Sequence, residues 1–160
     1  MSSDAAGPSA REVSLARRTL IGLAAIYLLV QLVLFSVHRL PGWDESVYFS
    51  QVTPGIKAMY FIPARARGVP LLVAPVTLLG GSVAAVRLYL AVVSTAAVAA
   101  VFWAWAPLIG AAAPIASFLL CFSWLGLLNG TEALPNPWAA ILGLGAVSYT
   151  HLTLPTNREV

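Results

Sequence analysis

The stretch that decides the fold runs from Leu88 to Thr131 and reads LYLAVVSTAAVAAVFWAWAPLIGAAAPIASFLLCFSWLGLLNGT. It contains no Asp, Glu, Lys or Arg over 44 residues. A helix of about 20 apolar residues can cross a bilayer, so this stretch has room for two. In the whole chain 59% of residues are hydrophobic and 9% are charged, against roughly 25% charged in a soluble domain. The composition predicts an all-α, polytopic transmembrane helix bundle.

The apolar runs and the basic residues between them predict the topology. Arg11, Arg17 and Arg18 precede the first run, and basic residues favour the cytoplasmic side. The N-terminus is therefore expected in the cytoplasm and the protein in the plasma (inner) membrane, as a multi-pass protein. The predicted segments are a disordered tail at 1–18, spans at about 19–37, 82–106 and 111–128, a partial span at 138–146, and an outer loop at 38–81.

The outer loop is expected to contain short helices at the membrane surface, because it mixes charged and aromatic residues. Pro70–Leu79 is apolar, but as a helix it is about 15 Å long, half the hydrocarbon thickness. We predict a re-entrant or interfacial helix there. Two full spans then separate Asp44 from Glu132, which places both acids on the same side. If Pro70–Leu79 crossed the membrane, they would lie on opposite sides.

The last part of the chain changes character abruptly. A polar string, Val147–Thr156, follows the short apolar segment Trp138–Ala146. It resembles one reading frame of a transposon-based sequencing adapter, and a helix that stops in mid-bilayer leaves backbone groups unsatisfied. Residues 147–160 are predicted to be a non-native tail, and the chain is expected to be the N-terminal fragment of a longer membrane protein.

The adjacent acids Asp44 and Glu45 are the first candidate site. The chain has only six acidic residues, and carboxylates beside a span are costly unless they are solvated, paired or functional. Adjacent side chains point in different directions, so only one faces a given pocket. Asp44 is the preferred catalytic residue, as a general base or a ligand of a divalent cation, and Glu45 would support the loop. The alternative is a solvated loop in which Asp44 caps a helix.

Basic residues supply the second candidate site. Five of them fall on the predicted outer side, against three inside, which opposes the usual bias. Guanidinium groups bind phosphate through paired hydrogen bonds, so a lipid-linked phosphate is a natural ligand. The alternatives are headgroup contacts by extended side chains and, for Arg87, pairing with an acid of the loop. The five residues are Arg39, Lys57, Arg65, Arg67 and Arg87.

The order of these features resembles the GT-C superfamily of polytopic glycosyltransferases, which includes protein O-mannosyltransferases and aminoarabinose transferases. Asp44-Glu45-Ser46-Val47-Tyr48 is similar to the Asp-Glu-x-x-Tyr that opens the family's first outer loop. Val69-Pro70-Leu71-Leu72, then Gly80-Gly81 and Arg87, follow the family's layout. Glu132 takes the place of a second acid, although the family has an Asp directly before the next helix. The resemblance covers about residues 15–146, against an Ala-rich background similar to actinobacterial members.

The resemblance implies transfer of a sugar from a polyprenyl-phosphate donor to an acceptor at the outer membrane face. Asp44, Glu132 and Glu45 would form the acidic site. The donor would be held by Arg65, Arg67, Lys57, Tyr48 and Arg87. No cofactor is firmly implied, although Asp44 could bind a divalent metal. A fragment of this length is expected to be inactive alone.

A rival hypothesis is a non-catalytic membrane protein, a carrier or accessory subunit that binds a lipid phosphate through the same basic residues. Nucleic acid is not an expected partner, because the chain has no basic run. The single Cys121 excludes an intrachain disulfide, and no His/Cys cluster has metal-site spacing.

Overall fold

The structure, a computed structural model, describes residues 7–35, 39–60 and 67–153. Within these ranges every regular element is helical, which confirms the all-α class. The α-helices are α1 (Ala10–Val30), α2 (Trp43–Ser50), α3 (Gly68–Thr77), α4 (Val83–Ile109), α5 (Ala112–Phe122), α6 (Trp124–Asn129) and α7 (Pro135–Thr153). A π-helical turn, Gln31–Phe35, continues α1.

Helix α1 begins well before the predicted first span. The Ser9 hydroxyl accepts a hydrogen bond from the Glu12 amide, and the Glu12 carboxylate accepts one from the Ser9 amide at 2.8 Å. This reciprocal pair is a capping box, which satisfies two backbone donors at a helix start. The prediction of a disordered tail at 1–18 is therefore wrong from residue 10 onward. Residues 1–6 and 36–38 lie outside the described ranges.

Two helical segments of the described chain are long and apolar enough to cross a membrane. They are Ala10–Leu34, with 25 residues, and Val83–Ile109, with 27. At 1.5 Å per residue the second is about 40 Å long. These lengths and compositions agree with the first two predicted spans, while a polytopic arrangement stays a prediction.

The predicted third span, 111–128, is not one continuous helix. Ser123 is extended, with φ −63° and ψ 154°, and it separates the 11-residue α5 from the six-residue α6. The Ser123 hydroxyl accepts a hydrogen bond from the Gly126 amide at 3.0 Å and so caps α6. Ser and Gly at this spacing favour a new helix start over continuation, a local signal that the apolar composition outweighed in the prediction.

The short apolar segment after the outer loop is a helix of the predicted size. Helix α3 has ten residues, with Pro75 inside it, and the chain leaves it through Gly80 at φ 77°. The re-entrant or interfacial placement of α3 stays a prediction. At the other end of the chain, α7 continues past Ala146 to Thr153 instead of ending there, and residues 154–160 lie outside the described ranges.

Two buried apolar clusters hold these helices together, with α4 in both. The larger lies where the middle and end of α4 meet α1, α5 and α7, and it includes Leu20, Tyr27, Phe102 and Cys121. The smaller joins the start of α4 to α2 and α3. Its members are Tyr48, Phe49, Val69, Val73, Val86, Leu90 and Ala133. The short helices are thereby fixed against the first turns of α4, where the candidate site lies.

Candidate functional site

Glu45 is the residue on which the site is built. Its side chain is buried, with 3% of its surface exposed. Its Oε2 accepts hydrogen bonds from the Gly42 amide and from Arg87 Nη2, both at 3.0 Å, and its Oε1 accepts one from the Ala133 amide at 3.0 Å. One carboxylate therefore caps the start of α2 and also joins it to α4 and to the loop before α7.

Arg87 is the cation that pairs with the buried Glu45 carboxylate. Its side chain is 1% exposed. Besides the Glu45 carboxylate, its guanidinium donates to the backbone oxygens of Leu40 and Thr131, each at 3.3 Å. Buried charges are tolerated only when they are paired and hydrogen-bonded; Arg87 is paired with Glu45 and its two terminal nitrogens are hydrogen-bonded, while its Nε has no partner among the described residues. The hypothesis that Arg87 pairs with a loop acid is thus confirmed, whereas its assignment as a substrate-binding residue is at odds with this burial.

A second ion pair lies beside the first. Arg39 Nη1 is 2.8 Å from Glu132 Oε1, with the Arg39 side chain 42% exposed and that of Glu132 12% exposed. Arg39 precedes α2, and Glu132 directly precedes Ala133, whose amide binds Glu45. The two predicted acidic regions are therefore in contact. Arg39 is the residue whose specific role sequence reasoning missed, because nothing local to it signals a partner 93 positions away.

The surroundings of Glu132 shift its acidity. Burial raises the pKa of Glu132 above its ordinary value of 4.5, and the negative charge of Glu45 raises it further. Arg39 and Arg87 act in the opposite direction. The folded protein consequently holds a proton on Glu132 more tightly than the unfolded chain does. The resulting stability is fully present below the ordinary carboxyl pKa and is lost as pH rises through the raised value.

Glu132→Gln is expected to remove this loss of stability. The free energy of unfolding, measured in detergent micelles from pH 4 upward, should fall less with pH than that of the unaltered protein. The difference should be about 1 kcal/mol or less, because Glu132 keeps some solvent contact. Arg39→Gln is the matched variant. Because Arg39 lowers the Glu132 pKa, this substitution should extend the fall in unfolding free energy to higher pH. Identical profiles for all three proteins would contradict the assignment.

Asp44 has a different environment from its neighbour. It is exposed in the first turn of α2, while Gly42 occupies the N-cap position. The alternative in which Asp44 caps the helix is therefore wrong. Trp43 and Tyr60 form an edge-to-face pair beside it, with ring centroids 5.7 Å apart, and are 63% and 57% exposed. Tyr60 has φ 47°, a strained backbone value that is concentrated at functional sites.

The remaining residues that were predicted to bind the donor differ in their exposure to solvent. Lys57 and Arg67 are exposed, and Arg67 immediately precedes α3. Tyr48 is 5% exposed and packs in the smaller apolar cluster, so its assignment as a donor-binding residue conflicts with its position in the core. Arg65 lies outside the described residues.

An apolar groove runs between α3 and α7, with a volume of about 400 Å³. Gly68, the residue after Arg67, and Pro135, three residues after Glu132, both line it. Val69, Leu72, Trp138, Ala139 and Leu142 form the rest of its walls. The groove is therefore an apolar space between the two helices that follow the predicted outer loops.

Polar residues continue from the ion pair into the helix bundle. Ser94, about two turns along α4 from Arg87, donates to the Gly130 carbonyl at 2.8 Å. Tyr27 on α1 donates to the Gly126 carbonyl at 2.7 Å. Hydrogen bonds from side-chain hydroxyls to backbone carbonyls thus hold the 123–134 segment, which contains α6, against α1 and α4, and Glu132 lies in this segment.

Within the described ranges no three His, Cys, Asp or Glu residues come close enough together to hold a metal ion. No protein-family model, curated protein or solved structure matches the chain.

Proposed function

We propose that the protein is the membrane glycosyltransferase, or part of one, that its sequence resembles, and that it uses a polyprenyl-phosphate sugar donor at the outer membrane face. The observation that carries the proposal is the Glu45 carboxylate. It binds both Arg87 and the Ala133 amide, and so joins the first turn of α2, which carries Asp44, to the loop that carries Glu132. We propose that these two acids, from separate predicted outer loops, border one site.

Asp44 is the proposed general base. It is exposed, so an acceptor hydroxyl can approach it. Asp44 would take the hydroxyl proton while the oxygen attacks the anomeric carbon of the sugar. The bond from sugar to phosphate breaks, and its electron pair leaves with the polyprenyl phosphate. Positioned general bases typically contribute 10²–10⁴-fold to rate.

Exposed cations would receive the departing phosphate. Lys57 and Arg67 are exposed, so a phosphate could reach them, and Arg65 is proposed with them on the resemblance. The groove between α3 and α7 is lined by Gly68, the residue after Arg67, and its apolar lining suits a polyprenyl chain. The Trp43–Tyr60 pair, beside Asp44, offers an aromatic surface on which a sugar ring could pack.

Glu45 and Arg87 are proposed as positioning residues. Both are buried, so neither is available to contact substrate. Their pairing fixes the first turn of α2, from which Asp44 projects. Glu132 would act as the second acid, and its contact with Arg39 favours the ionised form of its carboxyl group.

Asp44→Asn in the full-length protein tests the proposal. Sugar transfer from a labelled polyprenyl-phosphate donor to acceptor should fall by about 100-fold or more, while donor binding and the unfolding transition are retained. Lys57→Gln is the comparison, since it should weaken donor binding and leave the transfer rate at saturating donor less affected.

If Asp44→Asn transferred sugar as fast as the unaltered protein, Asp44 would have no catalytic role. If no transfer occurred with any donor, and Lys57→Gln still lost binding of polyprenyl phosphate, the rival function would be favoured, that of a non-catalytic protein that binds a lipid phosphate.

A further inference from the structure

A second charged region lies at the other end of α4. Trp103 is 16 residues after Arg87, about 24 Å along the helix axis. There it borders an open pocket of about 470 Å³ together with Ser14, Arg17, Arg18 and Ile21 of α1. These four α1 residues have spacings of three, four and seven, which place them on one helix face. The pocket is therefore built by two helices and is separate from the candidate active site.

One of the two cations of this pocket is positioned by aromatic contact. Arg17 Cζ lies 4.7 Å from the centroid of the Trp103 ring, a cation–π arrangement that orients the guanidinium. Arg17 Nε is buried and has no hydrogen-bond partner among the described residues, and a buried donor without an acceptor costs free energy.

None of the described residues that line the pocket is an Asp or a Glu. The nearest carboxylate along α1, Glu12, is held by the amide and hydroxyl of Ser9 at 2.8 and 2.9 Å. Arg18 is exposed, and Ser14 also lines the pocket. Two arginines and a serine thus line one pocket with no acid among the described residues of its lining, and guanidinium and hydroxyl donors are the chemistry that recognises a phosphate group.

The same pocket has an apolar side. Ile21 is 59% exposed and lies one turn beyond Arg17 and Arg18, towards the middle of the apolar segment Ala10–Leu34. A ligand that places an anion at the arginines would lay its adjoining part along Ile21. Phosphate joined to an acyl chain has this division of polarity, and anionic headgroups bind in basic pockets between membrane helices.

We propose that the pocket between α1 and α4 binds an anionic phospholipid of the surrounding bilayer, with the phosphate at Arg17 and Arg18 and an acyl chain along Ile21. This proposal rests on the placement of α1 and α4 in a membrane and is independent of sugar transfer. The bound lipid would anchor the ends of the two helices that meet there.

Native mass spectrometry of the purified full chain in detergent, titrated with phosphatidylglycerol or phosphatidylcholine, tests the proposal. Phosphatidylglycerol should be retained more strongly than phosphatidylcholine. Arg17→Gln and Arg18→Gln should each weaken its retention, and the double variant should do so by roughly tenfold or more. Arg11→Gln is the matched control: it removes the same charge from the same helix, but Arg11 does not line the pocket.

Three results would overturn the proposal. Equal retention of the two lipids would remove the anion preference. An Arg11→Gln effect as large as that of Arg17→Gln would reduce the site to general surface attraction. Displacement of phosphatidylglycerol by an equal concentration of inorganic phosphate would assign the pocket to a free anion. Trp103→Leu should weaken the retention of phosphatidylglycerol, and Trp103→Phe should preserve it. This pair of variants separates the effect of orienting Arg17 from the effect of its charge alone.

Discussion

Glu45→Gln should lower the free energy of unfolding by about 3–5 kcal/mol, the range found when one partner of a buried ion pair is removed. Gln has nearly the volume of Glu, so packing is conserved. The loss comes from Arg87, whose guanidinium is 1% exposed and would keep its charge without a carboxylate. Reversible unfolding in mixed micelles, followed by circular dichroism, measures the effect.

Asp44→Asn is the matched control for this prediction. It makes the same chemical change one residue earlier, at an exposed position, and should alter stability by less than about 0.5 kcal/mol. The double variant Glu45→Gln/Arg87→Met removes both charges. Its loss of unfolding free energy should be smaller than the sum of the losses in Glu45→Gln and Arg87→Met alone. Additive losses, or equal effects of the changes at 44 and 45, would show that the ion pair does not hold the site.

Gly126→Ala should destabilise the protein by about 1–3 kcal/mol, the typical cost of overpacking. An added Cβ would overlap the Leu120 carbonyl oxygen and lie 2.8 Å from the Cys121 carbonyl oxygen. Both obstacles are backbone atoms, which cannot turn aside as a side chain can. The substitution would force apart the junction of α5 and α6 and disturb the hydrogen bond from Tyr27 to Gly126.

Gly143→Ala provides the comparison on α7. A Cβ there meets nothing within 4 Å, so the higher helix propensity of Ala should raise stability by up to about 1 kcal/mol. The same unfolding assay measures both variants. If they changed stability in the same direction, the close approach of backbone at Gly126 would be refuted.

The α-helical class, α3 and the approximate positions of α1 and α4 follow from composition and run length. A run such as Leu88–Ile109, with no charged residue, becomes a helix because its backbone groups must bond to one another in apolar surroundings. The break at Ser123 was less predictable, since a capping residue acts locally against a favourable apolar background. The start of α1 at Ala10 differs from the predicted one because the capping box Ser9–Glu12 acts locally, within a polar segment whose composition favours disorder.

The adjacent acids show what sequence and tertiary structure each decide. The sequence determined that Asp44 and Glu45 are rare carboxylates whose side chains point in different directions, because successive side chains on any regular backbone diverge. It also indicated that a loop acid could pair with Arg87.

Only the tertiary structure decided that the buried acid is Glu45 and that it also binds the Ala133 amide, 88 positions away. It likewise decided that Arg39 meets Glu132. Such pairings depend on how α2, α4 and the loop before α7 pack together. Because a buried carboxylate is stable only where several donors converge, that packing selects which of the two carboxylates is enclosed and which stays exposed.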